Sequence, residues 1–294
     1  MIRSFINYLK FEKRFSGNTV VAYENDIVQF LDYLASQYNT ESINEVTHHM
    51  IRSWMVSMIQ AGITPKSVNR KLSSLRKYLL FLKRGGVISV NPAQKIVAPK
   101  IGKRLPHVIR KSEIDLLLDQ YLPSGSFSEI RDRIIIILLY STGMRRAELI
   151  ELRDSDINFS NNSIIVTGKG NKQRLIPLTD EVIEELKIYI ENRNEYFESK
   201  KTNYLILTDK GNKLYPKFVY NVVVKNISMV SSSLKRSPHI LRHSIATHLS
   251  DENVEINALK ALLGHSSLSS TQIYTHNSVE KLKKAYVKAH PKAN

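Results

Sequence analysis

About a third of the way along the chain, the stretch Asn91 to Pro106 (NPAQKIVAPKIGKRLP) limits what this polypeptide can fold into. It carries three prolines, one glycine and four basic residues, with no hydrophobic periodicity. Each proline removes a backbone donor and pushes the residue before it out of the helical region. Neither a helix nor a central strand can therefore run through the stretch. The chain must fold as separate pieces, and 294 residues suffice for two cores. The expected division is a helical domain over 1–95, an extended basic linker over 96–106 and a second domain over 107–294.

The first piece reads as four helices. Ile2, Phe5, Ile6 and Leu9 share one face. Asn18 or Thr19 can cap a second helix that places Val20, Tyr23, Ile27, Phe30, Leu31 and Leu34 at helical spacing. A third helix is expected around Met50 to Ile59. The fourth starts with Thr64 as N-cap and Pro65 at its first position, runs to Arg84, and ends at Gly85-Gly86. Val68, Leu72, Leu75, Leu79 and Leu82 should face inward, with Arg70, Lys71, Arg76 and Lys77 pointing elsewhere.

The second piece mixes helices with a single hairpin signal. Ser112-Glu113-Ile114-Asp115 approximates a capping box before a helix to about Tyr121. Arg131 to Tyr140 reads as a buried helix ended by Gly143, and a short amphipathic helix follows Arg145-Arg146. Ser163 to Leu178 (SIIVTGKGNKQRLIPL) reads as two β-runs joined by a Gly-Lys-Gly-Asn-Lys turn. Thr179 should cap a helix through about Phe197, and Tyr204 to Leu207 should be a short strand. Helices are expected from about Pro216, His239 and Val254, with a last one over Val279 to Ala289. The fold class is mainly α, with a small antiparallel β-sheet in the C-terminal domain.

Charge points to the partner. The net charge is +16, and from Val46 to Ser112 there is no Asp or Glu against 14 Lys and Arg. A basic face of that size suits a polyanion, most simply duplex DNA. Arg70, Lys71, Arg76, Lys77, Lys103 and Arg104 are the DNA-binding candidates in this stretch. No apolar run approaches the ~18 residues of a membrane span, so no membrane partner is expected. The absence of cysteine excludes disulfides and thiolate chemistry and fits a reducing cytoplasm.

Several clusters in the second piece hold basic groups that core packing does not require. They are Arg145-Arg146 after a turn, Lys169 between two glycines, His239 and Arg242 at i and i+3, and His265 ahead of Tyr274 in ALLGHSSLSSTQIYTH. His239, His243 and His248 invite a metal reading. The zinc-peptidase motif needs Glu after its first His, however, and Ile240 stands there with no carboxylate cluster nearby. GKGNK lacks the spacing of a phosphate-binding P-loop, and nothing supports a hydrolase nucleophile elbow. Neither metal nor cofactor is expected. Taken alone, Tyr274 is better read as a surface tyrosine after a helix end than as a nucleophile, because exposed tyrosines far outnumber catalytic ones. Set among two arginines, a lysine and two histidines, it fits attack of a tyrosine hydroxyl on a phosphodiester. Guanidiniums and imidazoles would bind the oxygens on which negative charge grows, and a lysine would protonate the departing oxygen.

These motifs resemble the tyrosine recombinase (phage integrase) family, and most closely its XerC/XerD branch. TGMRRAELIEL is similar to the first catalytic box, which implies Arg145 as a transition-state arginine and Glu148 as a supporting acid. TGKGNKQRLIPL is similar to the β-hairpin box, which implies Lys169 as general acid. HILRHSIATHL resembles the H-x-x-R box with His239 and Arg242, and LLGHSSLSSTQIYTH the last box with His265 and the nucleophile Tyr274. Arg146 stands where relatives often carry an aliphatic residue, and it is a further candidate DNA contact.

The resemblance implies an N-terminal SAM-like core-binding domain and an integrase-type catalytic domain that together clamp duplex DNA at a specific site. It also implies a homo- or hetero-tetramer working through a 3′-phosphotyrosyl intermediate and a Holliday junction. The helix over 278–289 would dock on a neighbouring protomer, and a second Xer protein and a DNA translocase become candidate partners. Xer-type chromosome dimer resolution is the leading expectation. A mobile-element integrase and a non-catalytic DNA-binding protein of the same fold are the alternatives.

Overall fold

The computed structural model describes residues 1–40, 42–102, 108–119, 125–168, 170–198, 202–231, 236–252 and 254–264. Its contacts divide the chain into two units, Met1–Arg104 and Leu105–Asn294.

The first unit is helical. Helix α1 (Ile2–Asn7) continues into a π-helical turn over Tyr8–Glu12, followed by α2 (Gly17–Tyr38), α3 (His48–Gln60) and α4 (Pro65–Arg84). The N-cap of α2 is Ser16, two or three residues before the expected Asn18 or Thr19, with its hydroxyl 2.8 Å from that of Thr19. Thr64 caps α4 by accepting the Ser67 amide, and Pro65 occupies the first turn. The five expected apolar residues of α4 are all buried, against Phe5, Ile27, Phe30 and Trp54 among others.

The basic residues of α4 do not all turn outward. Asp26 of α2, 2% exposed, accepts hydrogen bonds from Arg70, from Lys71 (3.2 Å) and from the Ser74 hydroxyl (2.8 Å). Lys71 is itself buried and also donates to Gln29. Arg76 donates to the carbonyls of Ala93 and Ile96, and the Lys77 ammonium lies 4.6 Å from the Phe15 ring centroid. The physical reason is the buried carboxylate: Asp26 is tolerable in a core only if cations and donors surround it. The proline-containing stretch is not a free tether over its first half. Ala93 and Ile96 are buried in this core, and Asn69 donates to the Pro99 carbonyl at 2.9 Å.

The second unit packs α5 (Lys111–Asp119), α6 (Phe127–Thr142), α7 (Arg146–Glu151), α8 (Asp180–Tyr196), α9 (Pro216–Val230), α10 (Pro238–Asp251) and α11 (Ile256–Leu263) with a three-stranded sheet. Its strands are β1 (Ile157–Asn158), β2 (Ser163–Thr167) and β3 (Gln173–Pro177), antiparallel in the order β1-β2-β3. Helix α6 is the centre of the core and is buried at every residue from Ile130 to Thr142. Among the described residues, no helix is long and apolar enough to cross a membrane.

Local details depart from expectation for physical reasons. The carboxylate of Glu113 accepts the Arg110 amide at 2.9 Å, so the capping interaction forms one turn around Arg110 rather than at Ser112. Tyr204 to Leu207 makes only isolated bridges, Arg153 with Tyr204 and Leu207 with Lys213. Its amides go to separate partners, Leu205 to the Leu152 carbonyl (2.8 Å) and Leu207 to the Tyr189 hydroxyl (3.0 Å), which leaves no ladder to build. Strand β1, two residues long, is too short to leave a periodic signal. The helix expected over 279–289 lies outside the described residues.

Candidate active site

The site is built on Gly143, where α6 stops. Its φ of +58° is left-handed, and a Cβ there would lie 2.8 Å from Leu263 Cδ2 and 3.3 Å from Ile245 Cγ2. Only glycine lets the end of α6 touch both α10 and α11 so closely. Two residues on, Arg145 is the N-cap of α7 and Glu148 stands in that helix's first turn. Glu148 Oε2 accepts the Arg145 amide at 2.7 Å, and Oε1 accepts Arg145 Nη1 at 2.7 Å.

A third group completes this arrangement, and sequence reasoning missed it. Arg174 of β3 forms a two-pronged pair with Glu148, Nη1 to Oε1 at 3.1 Å and Nη2 to Oε2 at 2.8 Å. Its Nε donates to the Leu262 carbonyl at 2.8 Å. The available signal was the strand alternation. Arg174 pairs in register with Val166, and it shares the inward side with buried Ile176, two residues along. A cation at an inward position asks for a buried carboxylate, which Glu148 supplies.

Arg242 comes from the first half of α10. It is buried, and it donates to the carbonyls of Gly143 and Leu263. Arg145 Nη2 reaches the Gly264 carbonyl at 3.2 Å. Three arginines from three elements therefore take three successive carbonyls at the C-terminal end of α11: Arg174 on Leu262, Arg242 on Leu263, and Arg145 on Gly264. These are the helix's orphan acceptors at its negative end, so cationic caps are favourable there. Gly264 (φ +64°) turns the chain at this point, and His265 is the next residue.

Electrostatics follow from the packing. Burial alone would raise the pKa of Glu148, but the hydrogen bonds and charges of Arg174 and Arg145 outweigh it and hold the carboxyl below its ordinary range. Burial, with the charges of Arg145 and Arg174, pushes Arg242 down to about 10, still cationic at neutral pH. Three guanidiniums face one carboxylate, which leaves two uncompensated positive charges. His239 is exposed in the first turn of α10. Partial burial of its ring, then the charges of Arg146, His243, Arg242 and Arg145, lower its pKa and favour the neutral imidazole. Arg146 donates to the Pro216 carbonyl at 3.2 Å. His248 points away from this cluster, its Nδ1 2.9 Å from the Tyr140 hydroxyl.

Of the six residues expected to carry the chemistry, Arg145 and Arg242 are thus brought together beside Glu148, with His239 near enough to feel the charges of both arginines. Lys169, His265 and Tyr274 lie outside the described residues, as do Lys103 and Arg104. The neighbours of two of them are informative. A Cβ on Gly168 would lie 3.2 Å from Glu148 Oε1, so the root of the hairpin before Lys169 abuts the carboxylate. The carbonyl immediately before His265 is the one Arg145 holds.

A mostly helical fold with a small antiparallel sheet, and a cationic cluster able to bind an anion at the turn before a Gly-His pair, defines a class of protein that other chains share. The model of the phage integrase family matches residues 107–281, and that of the phage integrase N-terminal SAM-like domain matches residues 2–86. Tyrosine recombinase XerC of Oceanobacillus iheyensis is 36% identical over 299 residues, covering 100% of this chain and 96% of the relative. Tyrosine recombinase XerC of Chlorobaculum tepidum is 31% identical over 314 residues, with 98% and 94% covered. Among solved structures, a XerH site-specific recombinase bound to a palindromic difH substrate superposes with a TM-score of 0.71 at 24% identity, over 90% of this chain and 78% of that one. A Tn1549 transposon integrase in complex with transposon right-end DNA gives 0.74 at 19% identity, over 96% and 98%. The chain belongs to the phage integrase family and, within it, to the Xer-type tyrosine recombinases, enzymes that transfer DNA strands.

Proposed function

We propose that this enzyme resolves chromosome dimers by Xer-type site-specific recombination, with Tyr274 as nucleophile. The Tyr274 hydroxyl releases its proton to solvent, and its oxygen forms a bond to the scissile phosphorus as the bond to the 5′ oxygen breaks. This leaves a 3′-phosphotyrosyl link and a 5′-hydroxyl protonated by Lys169. Arg145, Arg242, His239 and His265 bind the non-bridging oxygens as charge grows on them, and each such donor contributes about 10²–10³ in rate. The phosphotyrosyl bond retains the energy of the ester, so the reverse attack by a 5′-hydroxyl rejoins strands without ATP or metal.

The observation that carries this reading is the convergence of Arg145 and Arg242, 97 residues apart in sequence, on the backbone just before His265. Relatives named XerC at full-length coverage support the chromosomal role over that of a mobile element. Four protomers on two sites would exchange strands in pairs through a Holliday junction. The helix over 278–289 would dock on a neighbouring protomer, and a second Xer protein and a DNA translocase would be partners of the assembly.

Duplex DNA is the substrate, and α4 offers the face to meet its backbone. Lys66, Lys77 and Arg84 are exposed on one side of the helix, at spacings of 11 and 7 residues, and Arg70 lies on the same side with its half-exposed side chain also bound to Asp26. Lys71 and Arg76 are occupied inside the domain and serve its architecture instead.

The test is covalent trapping on nicked duplexes carrying candidate sites from the host replication terminus, in the presence of a chelator. A denaturant-resistant protein–DNA complex is expected from the wild type and none from Tyr274→Phe. Persistence of the complex in that variant, or a requirement for a divalent metal, would overturn the mechanism.

A further inference from the structure

The group with the least obvious duty is Arg174. It is not among the residues that the recombinase motifs identify, yet its side chain is only 9% exposed and all three of its guanidinium nitrogens donate to protein acceptors. Two of those bonds hold both oxygens of Glu148, and the third holds the Leu262 carbonyl. Its contacts are otherwise tight: a Cβ on Gly264 would lie 3.1 Å from Arg174 Nη1 and 3.3 Å from its Cδ. The side chain is thus wedged between the carboxylate that orients Arg145 and the turn that leads into His265.

We infer that Arg174 is the positioning residue of the site: through Glu148 it orients the Arg145 guanidinium, and through the Leu262 carbonyl it sets where the chain leaves α11 toward His265. This rests on the role proposed above for Arg145. The chemistry of the pairing supports it. Arg145 holds each Glu148 oxygen by one bond, through its amide and Nη1, and Arg174 adds a second bond to each oxygen from the other side, so the carboxylate plane is fixed and presents a fixed direction to the Arg145 guanidinium. Lysine has the charge but not the fork, and glutamine has neither. Misplacing a phosphate donor by about 1 Å costs on the order of 10²-fold in rate.

Single-turnover cleavage separates this role from a merely structural one. The substrate is the nicked duplex that traps the wild-type protein, prepared with either a normal scissile phosphodiester or a methylphosphonate. The methylphosphonate lacks the negative charge that a guanidinium would neutralise. Arg174→Gln should cleave the normal duplex about 10²-fold more slowly, with its affinity for uncleaved DNA within about 3-fold of wild type, since binding is carried mainly by other phosphate contacts. On the methylphosphonate duplex the penalty should shrink to within about 10-fold, as it should for Arg145→Ala, because the oriented charge is no longer needed. Arg174→Lys should fall between, and Arg174→Gln combined with Glu148→Gln should be no slower than the slower single variant. Wild-type cleavage rates in Arg174→Gln, or an equal slowing on both duplexes, would overturn the inference. If Arg174→Gln does not fold, the same two-substrate comparison made with Arg174→Lys decides the matter. A wild-type protein that fails to cleave the normal duplex refutes the proposed mechanism instead of this inference.

Discussion

Two buried carboxylates, Asp26 in the first unit and Glu148 in the second, are each surrounded by basic side chains, and they serve different ends. Around Asp26 the donors Arg70, Lys71 and Ser74 all come from one helix, α4, and they lock α4 to α2. Around Glu148 the cations come from two elements, and a third guanidinium, that of buried Arg242, lies near enough for the charges of Arg145 and Arg174 to add to burial in lowering its pKa. There the charge is not balanced, and Arg145, Arg174 and Arg242 also grip the three carbonyls at the end of α11. A carboxylate matched by donors from one helix is a structural clamp. One overmatched by cations from several elements leaves positive charge that an anion could neutralise.

Mutations that exchange these roles would break the comparison. The largest effect is expected at the clamp. Asp26→Ala leaves Lys71 buried without its carboxylate and should destabilise the first unit by about 3–5 kcal/mol, read by chemical denaturation. Cleavage by the remaining folded protein at saturating DNA should stay within a few-fold of wild type. Glu148→Ala should do the reverse in character, lowering single-turnover cleavage by about 10²–10³-fold. Wild-type cleavage in that variant would mean that Arg145 needs no orienting partner. Gly143→Ala forces a Cβ into Leu263 and Ile245 at a left-handed position, and should cost about 1–3 kcal/mol while loosening Arg242. Its thermal midpoint should fall, and an unchanged midpoint would show that α11 can retreat freely.

Smaller effects sharpen the contrast further. Neutralising Lys66 and Arg84 on the exposed face of α4 should reduce the slope of log binding constant against log salt by about 2, without altering denaturation. An unchanged slope would remove that face from the DNA interface. The last is a pH effect. His239 has a folded-state pKa below its ordinary 6.5, so the folded protein takes up that proton less readily than the unfolded chain does. The stability of wild type relative to His239→Gln should therefore decline as pH falls below 6.5. The Glu148 contribution has the same sign at lower pH: it is intact above the ordinary carboxyl pKa of 4.5 and lost as pH falls through the depressed folded value. A relative stability that rises on acidification from neutrality would contradict the direction assigned to His239.

Much of this was legible in the amino-acid order, because it depends on local rules. Thr64-Pro65 starts α4, Gly143 ends α6, the Gly-Lys-Gly turn makes the β2–β3 hairpin, and Thr179 caps α8; each is decided by residues within a turn of one another. The boxes around Arg145, His239 and Arg242 were equally visible. Counting charge along the chain misled where pairing is long-range. Lys71 and Arg76 look like groups for a polyanion until Asp26, 45 residues before Lys71, and the carbonyls of Ala93 and Ile96 are seen to hold them.

The sequence by itself thus determined most of the described helices, the hairpin and the kind of chemistry the second domain is equipped for. Helical and strand periods, caps and turn residues are short-range properties, and basic motifs declare their affinity for phosphate wherever they fold. Only the tertiary structure decided which cations are spent inside the protein and which are left for a ligand. It brought Arg174 from β3 onto Glu148, placed three guanidiniums on successive carbonyls of α11, and closed Asp26 beneath α4. The reason is that a charge's role is set by the dielectric around it and by the partner within about 4 Å, and both arise only when distant segments pack.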